Sequence, residues 1–98
     1  MKEVKKGDIL VWCDDNGITR DFFIATKSEE HSMVISNNPA RYYINHLLGY
    51  RINSNIQYNL GHWAVDRHAT KEERELFFSW LREKGLRLNV NTCEFIHL

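Results

Sequence analysis

The chain has 98 residues, of which 43% are apolar, and this length and composition predict one folded domain spanning residues 1–98 rather than a disordered segment. Its 13 basic and 13 acidic side chains balance, so no net charge draws it toward nucleic acid or an anionic membrane. No apolar run is long enough for a signal peptide or a membrane span, which favours a cytoplasmic protein. Cys13 and Cys93 are then reduced thiols, the alternative being one bridge in a secreted protein.

Two β-prone runs, Ile9–Cys13 and Ile18–Thr26, predict the first hairpin. Asn16-Gly17 between them favours a two-residue turn because both residues tolerate positive φ. The resulting cross-strand pairs are Val11 with Phe22, Ile9 with Ile24, Leu10 with Phe23, and Trp12 with Asp21. Both faces of this hairpin carry large apolar groups, so we expect it to be covered on two sides.

The middle of the chain has less distinct signals. A third strand is predicted at Ser32–Ser36 and another short strand at Gly61–Arg67. Between them, Asn38-Pro39 has the composition of a helix start. The run Arg41-Tyr42-Tyr43-Ile44, however, has strand composition. We favour strand and loop over a helix here.

The clearest element is a helix over about residues 71–84. Thr70 and Glu73 form a capping box at its start, and Gly85 supplies the left-handed residue that ends it. The predicted buried stripe consists of Leu76, Phe77, Trp80 and Leu81, with Phe78 outside it. A strand from Leu86 to Val90 and a last short strand at Cys93–Ile96 follow.

The predicted fold is therefore α+β. We expect a small antiparallel curled sheet or an SH3-like barrel, with one amphipathic helix followed by a short strand or hairpin.

Three segments, Lys5–Val11, His46–Gly49 and Ala69–Gly85, give the chain a family resemblance. The lysine-rich start, the His-Leu-Leu-Gly element and the Ala-Thr-x-Glu-Glu helix resemble small uncharacterised proteins of Bacteroides-type gut bacteria and their phages. Leu88 departs from the aromatic residue usual there. The resemblance implies an SH3-like or related β fold with a helix, and it brings no activity and no catalytic residues.

Motifs for catalysis are weak throughout the sequence. The glycines do not form a phosphate-binding loop, and the acids of Asp14-Asp15 and Glu29-Glu30 lie in predicted turns, where solvated carboxylates are expected. His62, Asp66 and His68 share strand parity and would suit zinc, but surface histidines at a strand end are the favoured interpretation. We therefore predict no enzyme, no cofactor and no metal site.

The stretch from residue 31 to residue 65 contains no Asp or Glu. Its candidate binding residues are Arg41, Tyr42, Tyr43, His46, Tyr50, Arg51, Tyr58 and Trp63. Protein interfaces are depleted in acids and enriched in Tyr, Trp and Arg, so this composition is typical of a contact surface. The alternative is a partly buried strand pair with an Asn-rich loop chosen for turns.

Phe78 is a further candidate because it lies on the helix column of Arg74 and Arg82. It either packs under the arginine stems or contacts a partner, including a second copy of the chain. We hypothesise a non-enzymatic binding or adaptor protein acting through protein–protein contacts with an unidentified protein partner. The alternative is nucleic-acid or nucleotide binding, including a phage-encoded inhibitor of host defence.

Overall fold

A computed structural model describes residues 3–30, 33–51 and 56–98, and for residues 51 and 56–60 it describes the backbone alone. The elements are β1 (Ile9–Cys13), β2 (Thr19–Ala25), β3 (Met33–Asn37), β4 (Ala40–Arg51), β5 (Ile56–Val65), β6 (Arg67–His68), α1 (Lys71–Glu83), β7 (Leu86–Asn89) and β8 (Glu94–His97). The strand pairs are antiparallel, and the expected α+β class with a curled sheet is confirmed.

The long strand β4 organises the sheet. One of its edges pairs with β3 near the start of the strand and with β2 near the end, while β5 pairs along the other edge. Only Asp66 separates β5 from β6, and β6 pairs with the outer edge of β1. The continuous segment β5–β6 therefore pairs with β4 through β5 and with β1 through β6, and this curls the sheet into a half-barrel.

All four predicted residue pairs of the first hairpin are present. The predicted two-residue turn is wrong. Asp14 N donates to Ile18 O, which closes a three-residue loop whose last residue is Gly17, with φ of +78°. Trp12 pairs with Asp21, whereas Cys13 pairs with Thr19. A bulge at residue 20 thus absorbs the extra loop residue and restores the predicted register.

The hairpin is covered on two sides, as predicted. Inside the curl, Leu10 and Phe23 pack with Ile44 and Val65. On the outer face, Ile9, Val11, Phe22 and Ile24 pack against Phe77 and Leu81 of α1 and against Leu88 of β7. Each face of β1 and β2 thus belongs to a different hydrophobic cluster.

The capping box of α1 is confirmed: Thr70 accepts from Glu73 N, and the Glu73 carboxylate accepts from Thr70 N. Gly85 follows the helix with φ of +72°. The predicted stripe needs correction, because Leu76 is 61% exposed whereas Phe78 packs against the outer core. The buried arc centres on Phe77 and Leu81, roughly 50° from the predicted centre, since β7 packs against that side of the helix.

The helix considered at Asn38 is absent. Asn37 pairs with Ala40, so Asn38-Pro39, joined by a cis peptide bond, forms the tip of the β3–β4 hairpin. The predicted strand at Gly61–Arg67 is the end of β5 together with β6. β7 and β8 form the predicted final hairpin, with Val90 beyond the end of β7.

Candidate functional site

The strand β3 presents three consecutive exposed apolar side chains: Met33, Val34 and Ile35 are 62%, 50% and 47% exposed. One edge of β3 pairs with β4, and within residues 3–30, 33–51 and 56–98 no strand pairs with the other edge. An unpaired edge offers backbone N–H and C=O groups to another strand. We call Met33, Val34, Ile35 and Tyr43 the β3 edge surface.

Both faces of the sheet contribute to the β3 edge surface. Met33 and Val34 are neighbours in a strand, so their side chains point to opposite faces. Met33 lies opposite Tyr43, whose half-buried ring is 5.4 Å from the His62 ring. Val34 lies opposite Tyr42, which packs against the inner core. A partner confined to one face would leave either Met33 or Val34 uncovered.

Trp63 lies in β5, two strands from β3. It pairs with Ile44 and is 46% exposed although Ile44 is fully buried. Directly paired residues share a face of the sheet, and residues two apart along a strand also share a face. Trp63 pairs with Ile44, Ile44 shares its face with Tyr42, and Tyr42 pairs with Val34, so Trp63 and Val34 lie on the same face. Among the predicted residues whose side chains the structure describes, Tyr43 and Trp63 are therefore the ones available beside the edge strand.

Arg41 has a structural position instead. Its Nε is 3.5 Å from Asp66 Oδ1, and its Nη2 donates to Cys13 O at 3.1 Å. The guanidinium lies 5.1 Å from the centre of the Trp12 ring. Asp66 Oδ2 in turn accepts from Cys13 N at 2.7 Å. Arg41 thus ties β4 to the end of β1 and is not free to bind a ligand.

His46 is likewise held within the fold, by Glu29. Glu29 Oε1 accepts from the backbone N–H groups of Asn45 and His46 and lies 3.0 Å from His46 Nδ1. Asn45 and His46 form the bulge in β4 between the part that pairs with β3 and the part that pairs with β2. The Glu29 side chain is only 10% exposed, so its expected role as a solvated turn acid is wrong.

Tyr50 is buried in the outer core, where it cannot contact a partner. Its ring meets Trp80 edge-on at 5.0 Å and Phe77 at 6.2 Å, and burial raises the pKa of its hydroxyl. Phe78 is half-buried against the same core. The side chains of Arg51 and Tyr58 lie outside the described part of the structure.

The three residues considered for zinc do not converge. His62 lies beside Tyr43, Asp66 binds Cys13 N and Arg41, and His68 Nε2 is 3.0 Å from Asp8 Oδ2. Among the described residues, no group of three or more His, Cys, Asp and Glu side chains is placed to hold a metal ion. Cys13 and Cys93 are both buried free thiols.

Met33, Val34 and Ile35 were not among the predicted surface residues. A run of three apolar side chains ordinarily predicts a strand that is buried on both faces, and nothing in the local sequence of Met33-Val34-Ile35 indicates that this strand is exposed instead.

Comparison with protein families, with curated proteins and with solved structures finds no match to this chain. In the described residues, α1 is too short and too polar to cross a membrane.

Proposed function

We propose that this chain is a non-enzymatic cytoplasmic binding protein that takes up an extended segment of a partner protein by strand addition to β3. The observation that carries the proposal is the exposure of Met33 and Val34 on opposite faces of an edge strand. An added strand covers both side chains at once, since its own side chains alternate between the same two faces.

The chemistry of the partner follows from the charge pattern. β3 contains no charged residue, and the stretch from residue 31 to residue 65 contains no acid. An uncharged segment rich in β-branched and aromatic residues suits this edge, because it pairs through the backbone and buries apolar area. A five-residue strand gives an interface below the roughly 1,000 Å² of a stable complex, so binding should be transient.

We also propose that the sheet is of the SH3-like kind, which the pairing of β6 with β1 supports.

The protein ligand is favoured over nucleic acid because Arg41, which directly precedes Tyr42 and Tyr43, is engaged by Asp66 and Cys13 O.

The test is selection of binders from a displayed library of random extended peptides. Selected peptides should bind the wild-type chain and lose at least tenfold in affinity on Met33→Lys or Val34→Lys, because an edge lysine must be desolvated when a strand adds. Backbone amides of β3 should become protected from hydrogen exchange in the complex.

Leu76→Lys is the matched control, since Leu76 is 61% exposed, as Met33 is, but lies on α1. It should leave the affinity unchanged. Peptides that bind Met33→Lys and Val34→Lys as well as they bind the wild type would refute strand addition at β3.

A further inference from the structure

A second surface feature lies on the opposite side of β1 from β2, away from the β3 edge surface. A cleft of about 400 Å³ lies between the N-terminal turn and first residue of β1 (residues 6–9), the end of β6 and the link to α1 (residues 68–69), and the β7–β8 turn at residues 90–91. Arg74 and Phe78 of α1 complete its lining. This volume lies in the range of pockets that hold small molecules.

Two cations, Lys6 and Arg74, line the cleft together with His68 and one acid, Asp8. Asp8 Oδ2 is already engaged, because it accepts from Lys5 N at 2.9 Å and lies 3.0 Å from His68 Nε2. Within the described part of the chain, neither Lys6 nor Arg74 forms an ion pair. Two cations are therefore left to attract an anion.

The other half of the lining is apolar. Phe78 packs on Phe77 at 5.9 Å between ring centres and is half-buried, so part of its ring remains open to the cleft. Ala69 and Val90 lie beside it. An aromatic ring with an open side favours a planar apolar group, which stacks or packs edge-on against it.

The walls of the cleft are fixed by close backbone packing. Gly7 has φ of +92°, and a Cβ added there would lie 2.9 Å from Val90 O. Gly7 N also donates to Ala25 O at 2.8 Å. The N-terminal turn thus rests directly on the β7–β8 turn, so a ligand would meet a preformed site rather than order one.

We propose that this cleft binds a phosphate monoester that carries a planar apolar group. The two unpaired cations match the double negative charge of the phosphate, and His68 Nδ1, which has no described partner, provides a further polar contact. The planar group packs against Phe78. This site is independent of the β3 edge surface, and neither proposal requires the other.

The test is a titration of the isotope-labelled protein with phenyl phosphate, followed through backbone amide chemical shifts. The amides of Gly7, Asp8, Arg74 and Asn91 should shift and saturate with a dissociation constant of about 1 mM or tighter. Inorganic phosphate should bind about tenfold more weakly, because it lacks the ring. Phenol should give no saturable shift at these residues, because it lacks the charge.

The variant Lys6→Gln/Arg74→Gln should weaken phenyl phosphate binding at least tenfold, since the substitutions remove both positive charges and, at exposed positions, should leave the fold intact. Arg82→Gln, two turns further along α1, is the control and should bind as the wild type does. The proposal is overturned by the absence of saturable shifts up to about 10 mM, by equal binding of phenol, or by full affinity in the double variant.

Discussion

Replacing Glu73 by glutamine should destabilise the protein at neutral pH and have little effect near pH 2. The Glu73 carboxylate accepts from Thr70 N at 2.8 Å, from both Nη atoms of Arg67 and from the Thr19 hydroxyl. It therefore joins the start of α1 to β6 and β2. Burial opposes the ionisation of Glu73, but these hydrogen bonds outweigh it and lower the pKa to about 2.

The magnitude follows from that shift. A fall of the pKa from 4.5 to about 2 corresponds to about 3 kcal/mol of free energy of unfolding, at about 1.4 kcal/mol for each pKa unit. The Arg67 side chain is 44% exposed, so water screens the pair, and we expect about 2 kcal/mol. Because the folded-state pKa is the lower one, this stability is complete above about pH 5 and is lost as the pH falls toward 2.

Urea unfolding of the wild type and Glu73→Gln from pH 7 down to pH 2 measures the effect. At pH 7 the variant should also melt about 10 °C lower. Glu72→Gln is the matched control, because Glu72 is an exposed acid in the same helical turn, and its loss should be within about 0.5 kcal/mol. Equal losses in the two variants, or a Glu73→Gln deficit that persists unchanged at pH 2, would refute the reasoning.

Three further predictions concern other buried groups. Tyr50→Ala should lower the free energy of unfolding by about 3–5 kcal/mol in urea titrations, because it empties an aromatic site in the outer core; a loss below 1 kcal/mol would contradict its burial. Glu29→Gln should lower the free energy of unfolding by about 1–3 kcal/mol and speed hydrogen exchange at the His46 amide, and unchanged exchange would argue against the hydrogen bond from His46 N to Glu29. Burial raises the pKa of the Cys93 thiol, so iodoacetamide should label it slowly at pH 7.5 unless urea is added; labelling at the rate of an exposed thiol would contradict this.

The features predicted correctly from the sequence depend on contacts between residues close along the chain. The capping box joins Thr70 and Glu73, three positions apart, and the first hairpin, which was predicted although its turn was not, closes between Asp14 and Ile18, four positions apart. The register of β1 with β2 followed from the apolar pattern, although the turn was read one residue too short. The predicted register is correct despite the wrong turn length, because a one-residue slip would move Phe22 and Phe23 to the wrong faces of the sheet. The bulge at residue 20 prevents that slip.

The features missed depend on partners far along the chain. Glu29 lies 16 residues from the Asn45 amide that it accepts from, and Arg41 lies 25 residues from Asp66. Each looks like a surface charge in its local sequence, because only the folded sheet brings an acceptor or donor to it. Tyr50 and Tyr43 both lie in the stretch without acids, and the sheet topology decides that one is buried and the other half-buried.

The apolar side chains of β3 are not explained by folding. No residue of β3 is buried, so Met33, Val34 and Ile35 add little to either hydrophobic cluster. Exposed apolar residues on an unpaired edge also favour aggregation, and lysine or threonine there would serve the fold as well. Three such residues together at an edge, in a strand with no charged side chain to protect it, are the reason for proposing that β3 pairs with another strand. Because β3 contributes so little to the core, its lysine variants should fold normally, and a loss of binding in them will report on the edge itself.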